Sequence, residues 1–196
     1  MEKNVKNIGF AITGSFCTHE KILEEIQNLV NKGYNIYPIL STNSAEVDTR
    51  FGKAEDFLLN LEKTTGHKPF TTIVEVEPTG PKNMFDLIVV APCTGNTLAK
   101  IANGINDTAV TMAVKAHLRN NKPVVIGIST NDALGLNFQN IATLFNTKNI
   151  YFVPFGQDDY QNKPKSLVAD WSKLDDTILK AYSGEQIQPI LLKENI

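Results

Sequence analysis

Short apolar runs alternate with amphipathic stretches along most of the chain. Residues 5–12 read as a buried strand. Residues 19–32 follow with Ile22, Ile26, Leu29 and Val30 on one helical face, closed by Gly33. Residues 34–40 alternate and are rich in β-formers, which predicts a second strand. Ala54–Thr65 repeats Phe57, Leu58 and Leu61 at helical spacing and stops at Gly66. Residues 71–76 are a short strand candidate, weakened by Pro78 just beyond them. The central strand is expected over residues 85–91. Its continuous run Leu87, Ile88, Val89, Val90 is what a sheet covered on both faces needs. Helices follow over residues 97–103 and 108–120, a strand over 124–128, a helix near 140–146, a strand at 150–153 and a last helix around 171–182.

Strand and helix alternate about five times, a pattern that predicts an α/β fold. The expected architecture is a doubly wound parallel sheet of the three-layer, flavodoxin- or Rossmann-like kind. One domain is expected over residues 1–196. Its apolar tail, about residues 184–196 with Ile187, Ile190, Leu191 and Leu192, packs either on the domain or on a neighbouring subunit. In such sheets ligands sit beyond the carboxyl ends of the strands, where the strand order reverses.

Composition narrows the field. A chain of 196 residues with 42% hydrophobic and 20% charged positions is a globular mixture. A net charge of -2 gives no reason to expect nucleic acid or an anionic membrane surface as partner. No apolar run approaches the length of a membrane span, and the polar opening residues lack a signal-peptide pattern, so a cytoplasmic protein is expected. Cys17 and Cys93 read as reduced thiols, inert by default although both fall in loops after strands. His19, His67 and His117 have no metal-ligand spacing, and no metal is expected. His19 reads as a capping or solvent-facing residue, His67 and His117 as solvated, and Trp171 as an anchor for the last helix.

The loops after the strands concentrate small polar residues: Thr13-Gly14-Ser15, Ser41-Thr42-Asn43-Ser44, Pro92-Cys93-Thr94-Gly95-Asn96-Thr97 and Ser129-Thr130-Asn131-Asp132. Hydroxyls and backbone N–H groups at helix starts, with glycine permitting close approach, suit a phosphate. The same residues also serve as helix caps. The first loop lacks the GxGxxG dinucleotide pattern, and no acid closes the second strand to hold a ribose diol, so a mononucleotide such as FMN fits better than NAD. Arg50 either grips a phosphate or carboxylate or is a solvated surface residue; Asn131 is a further candidate for substrate or phosphate.

The segment from Ala91 through Pro92-Cys93-Thr94-Gly95-Asn96-Thr97 to Gly104, with Asp107, resembles the signature of the flavin-dependent cysteine decarboxylase superfamily. Residues 9–18, 120–137, 147–150, 153–159 and 163–170 extend the likeness along nearly the whole chain, to the B-subunit family of dipicolinate synthases within that superfamily. The resemblance implies an FMN-type site at Gly14, Ser15, Thr42, Thr94, Asn96, Thr97 and Ser129. It implies NADP-linked formation of dipicolinate for spores from a dihydrodipicolinate-level intermediate of lysine biosynthesis. It implies a dehydrogenase A subunit that carries the NADP, a small dicarboxylate substrate, and self-association as a trimer or a multiple of one.

Two positions depart from the superfamily pattern. Residues 77–86 contain no histidine where the decarboxylases carry a catalytic one, and Gly95 replaces the usual alanine. No catalytic residue is therefore assigned. A self-sufficient FMN-dependent decarboxylase, a flavin-modifying enzyme and a non-catalytic phosphate- or substrate-binding subunit stay open beside the synthase reading.

Overall fold

The computed structural model describes residues 6–192; the Val5 start of the first expected strand and residues 193–196 of the tail lie outside the described residues. Five strands run parallel: β1 (Asn7–Ile12), β2 (Asn35–Leu40), β3 (Leu87–Cys93), β4 (Val124–Thr130) and β5 (Ile150–Phe152). Their spatial order is β2-β1-β3-β4-β5. The order reverses between β1 and β3, which makes their carboxyl ends the crevice of this doubly wound fold.

The connecting helices are α1 (His19–Asn31), α2 (Thr42–Glu46), α3 (Ala54–Thr65), α4 (Ile73–Val76), α5 (Gly95–Ala102), α6 (Ala109–Arg119), α7 (Asn137–Phe145) and α8 (Leu174–Tyr182). They divide the core by strand alternation. Leu87 and Val89 of β3 join Phe10, Ile22, Ile26, Trp171 and Ile178 on the face covered by α1 and α8. Ile88 and Val90 point the other way, to Val110, Val114, Ile126 and Leu144 under α6 and α7. Every residue of β3 is buried, as two-sided coverage requires. Each such large aliphatic side chain contributes about 1.5–3 kcal/mol relative to exposure.

Two strand glycines exist for aromatic neighbours. A Cβ on Gly9 would stand 2.9 Å from the Phe85 ring, and one on Gly127 would stand 2.5 Å from the Trp171 ring. Trp171 is thereby anchored over β4, where it fixes the entry to α8 against the sheet.

Residues 71–76 are not a strand. Thr72 accepts from the Glu75 N–H at 3.2 Å, and the Glu75 carboxylate accepts from the Thr72 N–H at 3.0 Å. This capping box starts the helical turn α4 despite the β-branched composition. Two short strands join the parallel sheet, β6 (Phe155–Gly156) and β7 (Leu167–Ala169). β7 pairs antiparallel with the end of β4, Ser129 opposite Val168 and Thr130 opposite Leu167.

After α8 the chain turns back along β5 and β6. The Gln186 carboxamide accepts from the Phe152 N–H and donates to the Phe152 carbonyl, each at 2.8 Å. The Phe155 N–H donates to the Ile190 carbonyl, and the Leu192 N–H to the Phe155 carbonyl, each at 3.0 Å. Among the described residues no helix is long and apolar enough to cross a membrane.

Two histidines expected in solvent are enclosed. His117 is 5% exposed because it continues the buried stripe of Val110, Ala113 and Val114 on α6. His67 is half-buried, with Nε2 2.7 Å from Asn35 Oδ1 and its ring stacked on Tyr37 at 4.0 Å.

Candidate functional site

The loops leaving β1, β2, β3 and β4 meet at the switch point. Thr13, at the end of β1, ties two of them together. Its buried hydroxyl donates to the Pro92 carbonyl at 2.6 Å and accepts from the Thr94 N–H at 3.0 Å.

Beyond Thr13 the chain bends through Gly14 into one 3-10 turn, Phe16–Thr18, before α1 begins. Ser15 occupies the cap position of that turn, yet its side chain caps nothing. Its Oγ lies 2.8 Å from Ser129 Oγ and 3.3 Å from Thr18 Oγ1, and Thr18 Oγ1 lies 3.1 Å from Ser129 Oγ. The result is a closed triangle of hydroxyls with no carboxylate among its hydrogen-bond partners. The three hydroxyls carry one proton each, so any proton turned toward a ligand gives up one of the three bonds within the triangle. The pairing of Ser129 with Val168 of β7 sets the third corner.

The bend at Gly14 would tolerate a methyl and no more. A Cβ there would meet Asn43 Cβ at 3.5 Å and the Phe16 ring at 3.7 Å, ordinary contact distances. Thr42, beside Asn43, is exposed at the start of α2, which Ser41 caps by accepting from the Ser44 N–H at 3.3 Å.

In the third loop, Thr94 and Thr97 spend their hydroxyls on the start of α5. Thr94 Oγ1 accepts from the Thr97 N–H at 3.4 Å and donates to Thr97 Oγ1 at 3.2 Å. Asn96 between them is exposed, and its carboxamide makes no hydrogen bond among the described residues. Gly95 is buried, and a Cβ on it would collide with the side-chain amide of Asn137. That amide donates to Asp132 Oδ2 at 3.1 Å, so the loop after β4 closes over α5. Asn131 is exposed at the head of that loop.

Arg50 stands apart from the triangle. It is exposed on a tight turn in which Thr49 and Gly52 exchange backbone hydrogen bonds of 3.0 and 3.1 Å. Its guanidinium lies 4.9 Å from the centre of the Phe51 ring. Phe51 in turn walls a cleft of about 330 Å3 between α1, α2, α3 and this turn. Phe16 and Cys17 border the cleft, so it adjoins the triangle, although none of the residues expected at the flavin site lines it.

Two members of this region escaped the sequence reading. Thr18 completes the triangle and is 8% exposed. His19 neither caps nor faces solvent: it is 9% exposed, stacks on Phe57 at 4.4 Å, and its Nε2 donates to the Thr13 carbonyl at 3.0 Å. Burial holds its pKa below the ordinary histidine value, against the weaker opposing pull of the Thr13 carbonyl. The signal was present, because His19 begins the stripe Ile22, Ile26, Leu29 of α1. Of the thiols, Cys93 is fully buried and burial pushes its pKa far up, whereas Cys17 is exposed with Sγ 4.0 Å from Ser15 Oγ.

A family profile described as Flavoprotein matches residues 1–183. The chain is 49% identical over 188 residues to the B subunit of dipicolinate synthase from Bacillus subtilis, covering 96% of this chain and 94% of that protein. The crystal structure of the dipicolinate synthase B subunit from Bacillus halodurans superposes with a TM-score of 0.89 at 45% identity, covering 99% of this chain and 100% of that one. The FMN-dependent cysteine decarboxylase SpaF, at 20% identity and TM-score 0.66 over 91% of this chain and 97% of that one, shares the fold.

Proposed function

Since the chain belongs to the Flavoprotein family, we propose that it is the flavin-fold subunit of a two-component dipicolinate synthase. The observation that carries this reading is the likeness to the Bacillus subtilis protein along nearly the full length of both chains. In this reading an NADP-dependent dehydrogenase subunit oxidises a dihydrodipicolinate-level ring from the lysine pathway, and the present chain holds the substrate or a flavin beside it. The pair works in the cytoplasm of the mother cell of a sporulating bacterium.

The hydroxyl triangle offers the donor chemistry that the phosphate end of FMN takes. Ser15, Thr18 and Ser129 would exchange bonds within the triangle for bonds to the phosphate, and Thr42 would close it from the second loop. Asn96, whose carboxamide is unspent, would meet the ring or the substrate edge. A bound flavin would supply two-electron redox capacity at this place. The chain's own part is to hold, orient and shield. The absence of a histidine from residues 77–86 argues against the decarboxylase alternative.

Support for self-association is the apolar run on the loop that closes over α5. Leu134 is 38%, Leu136 88% and Phe138, in the first turn of α7, 57% exposed, and Asn137 beside them packs against Gly95. A neighbouring copy laid over this loop would cover the open side of the site, as a trimer or a multiple of one.

The test mixes this chain with its dehydrogenase subunit, NADP and substrate, and follows dipicolinate absorbance. The reading requires product from the mixture and none from either chain alone. A purified chain with flavin absorption supports the FMN arm, and a titration without FMN binding removes it.

A further inference from the structure

Residues 186–192 run along β5 and β6, each of which pairs with one other strand only among the described residues. The Gln186 carboxamide, which both donates and accepts, engages the N–H and the carbonyl of Phe152 as a neighbouring strand would. Farther on, Leu191 is the parallel bridge partner of Phe155, and the Ile190 carbonyl and Leu192 N–H make the two bonds. Ile190 packs against the core that Phe155 and Leu167 join. Leu191 itself is 66% exposed, so its side chain adds little to the hold.

The register carries that hold to the hydroxyl triangle. Phe155 lies opposite Ala169 and Gly156 opposite Val168, while Val168 lies opposite Ser129 on its other side. The tail, β6, β7 and the end of β4 thus stand side by side, and the last of them carries a corner of the triangle.

β6 has two residues and β7 three. A hairpin of two strands is marginal in water, and strands this short need a further neighbour. The end of β4 supplies it for β7, and the tail supplies it for β6. Burial of Phe155, Leu167 and Ala169 keeps the hairpin on the core, but burial is non-directional. The main-chain bonds fix where along the strand direction the hairpin sits, and so where Val168 holds Ser129.

We propose that residues 186–192 are a strap that positions Ser129, and that loosening the strap weakens phosphate binding at the triangle through Ser129 alone. The choice of phosphate as ligand rests on the flavin reading.

Leu192→Pro deletes one donor of the strap, since proline has no N–H, and Leu191→Ser removes only an exposed side chain and is the control. In the full chain, Leu192→Pro speeds amide hydrogen exchange across β7. It also weakens binding of FMN and of inorganic phosphate about fivefold, the worth of one ordinary hydrogen bond. Leu191→Ser changes neither. Gln186→Leu, which releases the strap at its other end, repeats the effect of Leu192→Pro. In a Ser129→Ala background Leu192→Pro costs no further affinity, a result that general loosening of the site would not produce. Unchanged β7 exchange in both strap variants overturns the proposal. So does unchanged affinity beside faster exchange, or a loss that persists in the Ser129→Ala background. A chain that binds phosphate under control of the strap but binds no FMN sinks the flavin reading and leaves the strap standing; a chain that binds neither overturns both.

Discussion

Ser15 and Ser129 are 114 residues apart in sequence, and their hydroxyl oxygens are 2.8 Å apart in space. One belongs to the turn after β1 and the other to the last residues of β4, with β3 between the two strands in the sheet. Their contact crosses the crevice at the point where strand order reverses, and Thr18 closes it from below.

Ser129→Ala removes the corner on which the triangle depends. FMN affinity is expected to fall by about 1–3 kcal/mol, the cost of a lost hydrogen bond to a charged group. Flavin fluorescence titration reads this, and an unchanged dissociation constant would place the phosphate elsewhere.

Asn96→Ala tests the opposite case, a side chain without internal duties. Its carboxamide bonds to nothing among the described residues, so the melting temperature should stay within a degree or two, while ligand affinity drops by about 1–3 kcal/mol. A large loss of stability would show that the residue is structural.

Gly127→Ala is expected to destabilise by about 1–3 kcal/mol through overpacking, because the new Cβ would press on the rigid Trp171 indole at 2.5 Å. Gly95→Ala should cost less, since the obstacle there is the movable end of Asn137. Urea unfolding followed by tryptophan fluorescence compares the two.

Acid should weaken the fold through His117. Its Nε2 is buried without a partner, and burial first, then the charge of Lys122, bring its pKa to about 4 from an ordinary 6.5. Backbone contacts to Pro123 and Asp86, and the Asp86 charge, pull more weakly the other way. The folded value is depressed, so from pH 6.5 down to about 4 the unfolded chain binds a proton that the folded chain refuses. Stability is complete above that window and falls by about 2 kcal/mol on going from pH 6.5 to about pH 5. Urea midpoints of wild type and His117→Leu at about pH 7 and pH 5 check it, the variant losing less.

Wherever hydrophobic period was the governing signal, the sequence disclosed the fold. Leu87 to Val90 announced the central strand, and Ile22, Ile26 and Leu29 the face of α1. Period failed at residues 71–76, where β-branched side chains suggested a strand and a local pair, Thr72 with Glu75, decided for a helical turn. β7 was too short to show a pattern, and only its pairing with β4 defines it. The site was legible as four polar loops, but which hydroxyls cap and which remain free was not. Thr94 and Ser15 are both small polar residues after a strand; one is spent on its helix and the other reaches across the crevice. His117 and His19 were misplaced because residue type was weighed above position, although both continue apolar stripes.

The long reach between the first and fourth loops also bears on biosynthesis. A ribosome delivers Ser15 early, Ser129 only after most of the chain, and Val168, which registers Ser129, later still. Completing the triangle is therefore a late event, so a nascent or prematurely terminated chain that ends before β7 lacks the finished pocket. Flavin capture would accordingly report full-length synthesis, and the vitamin-derived cofactor would not be committed to fragments.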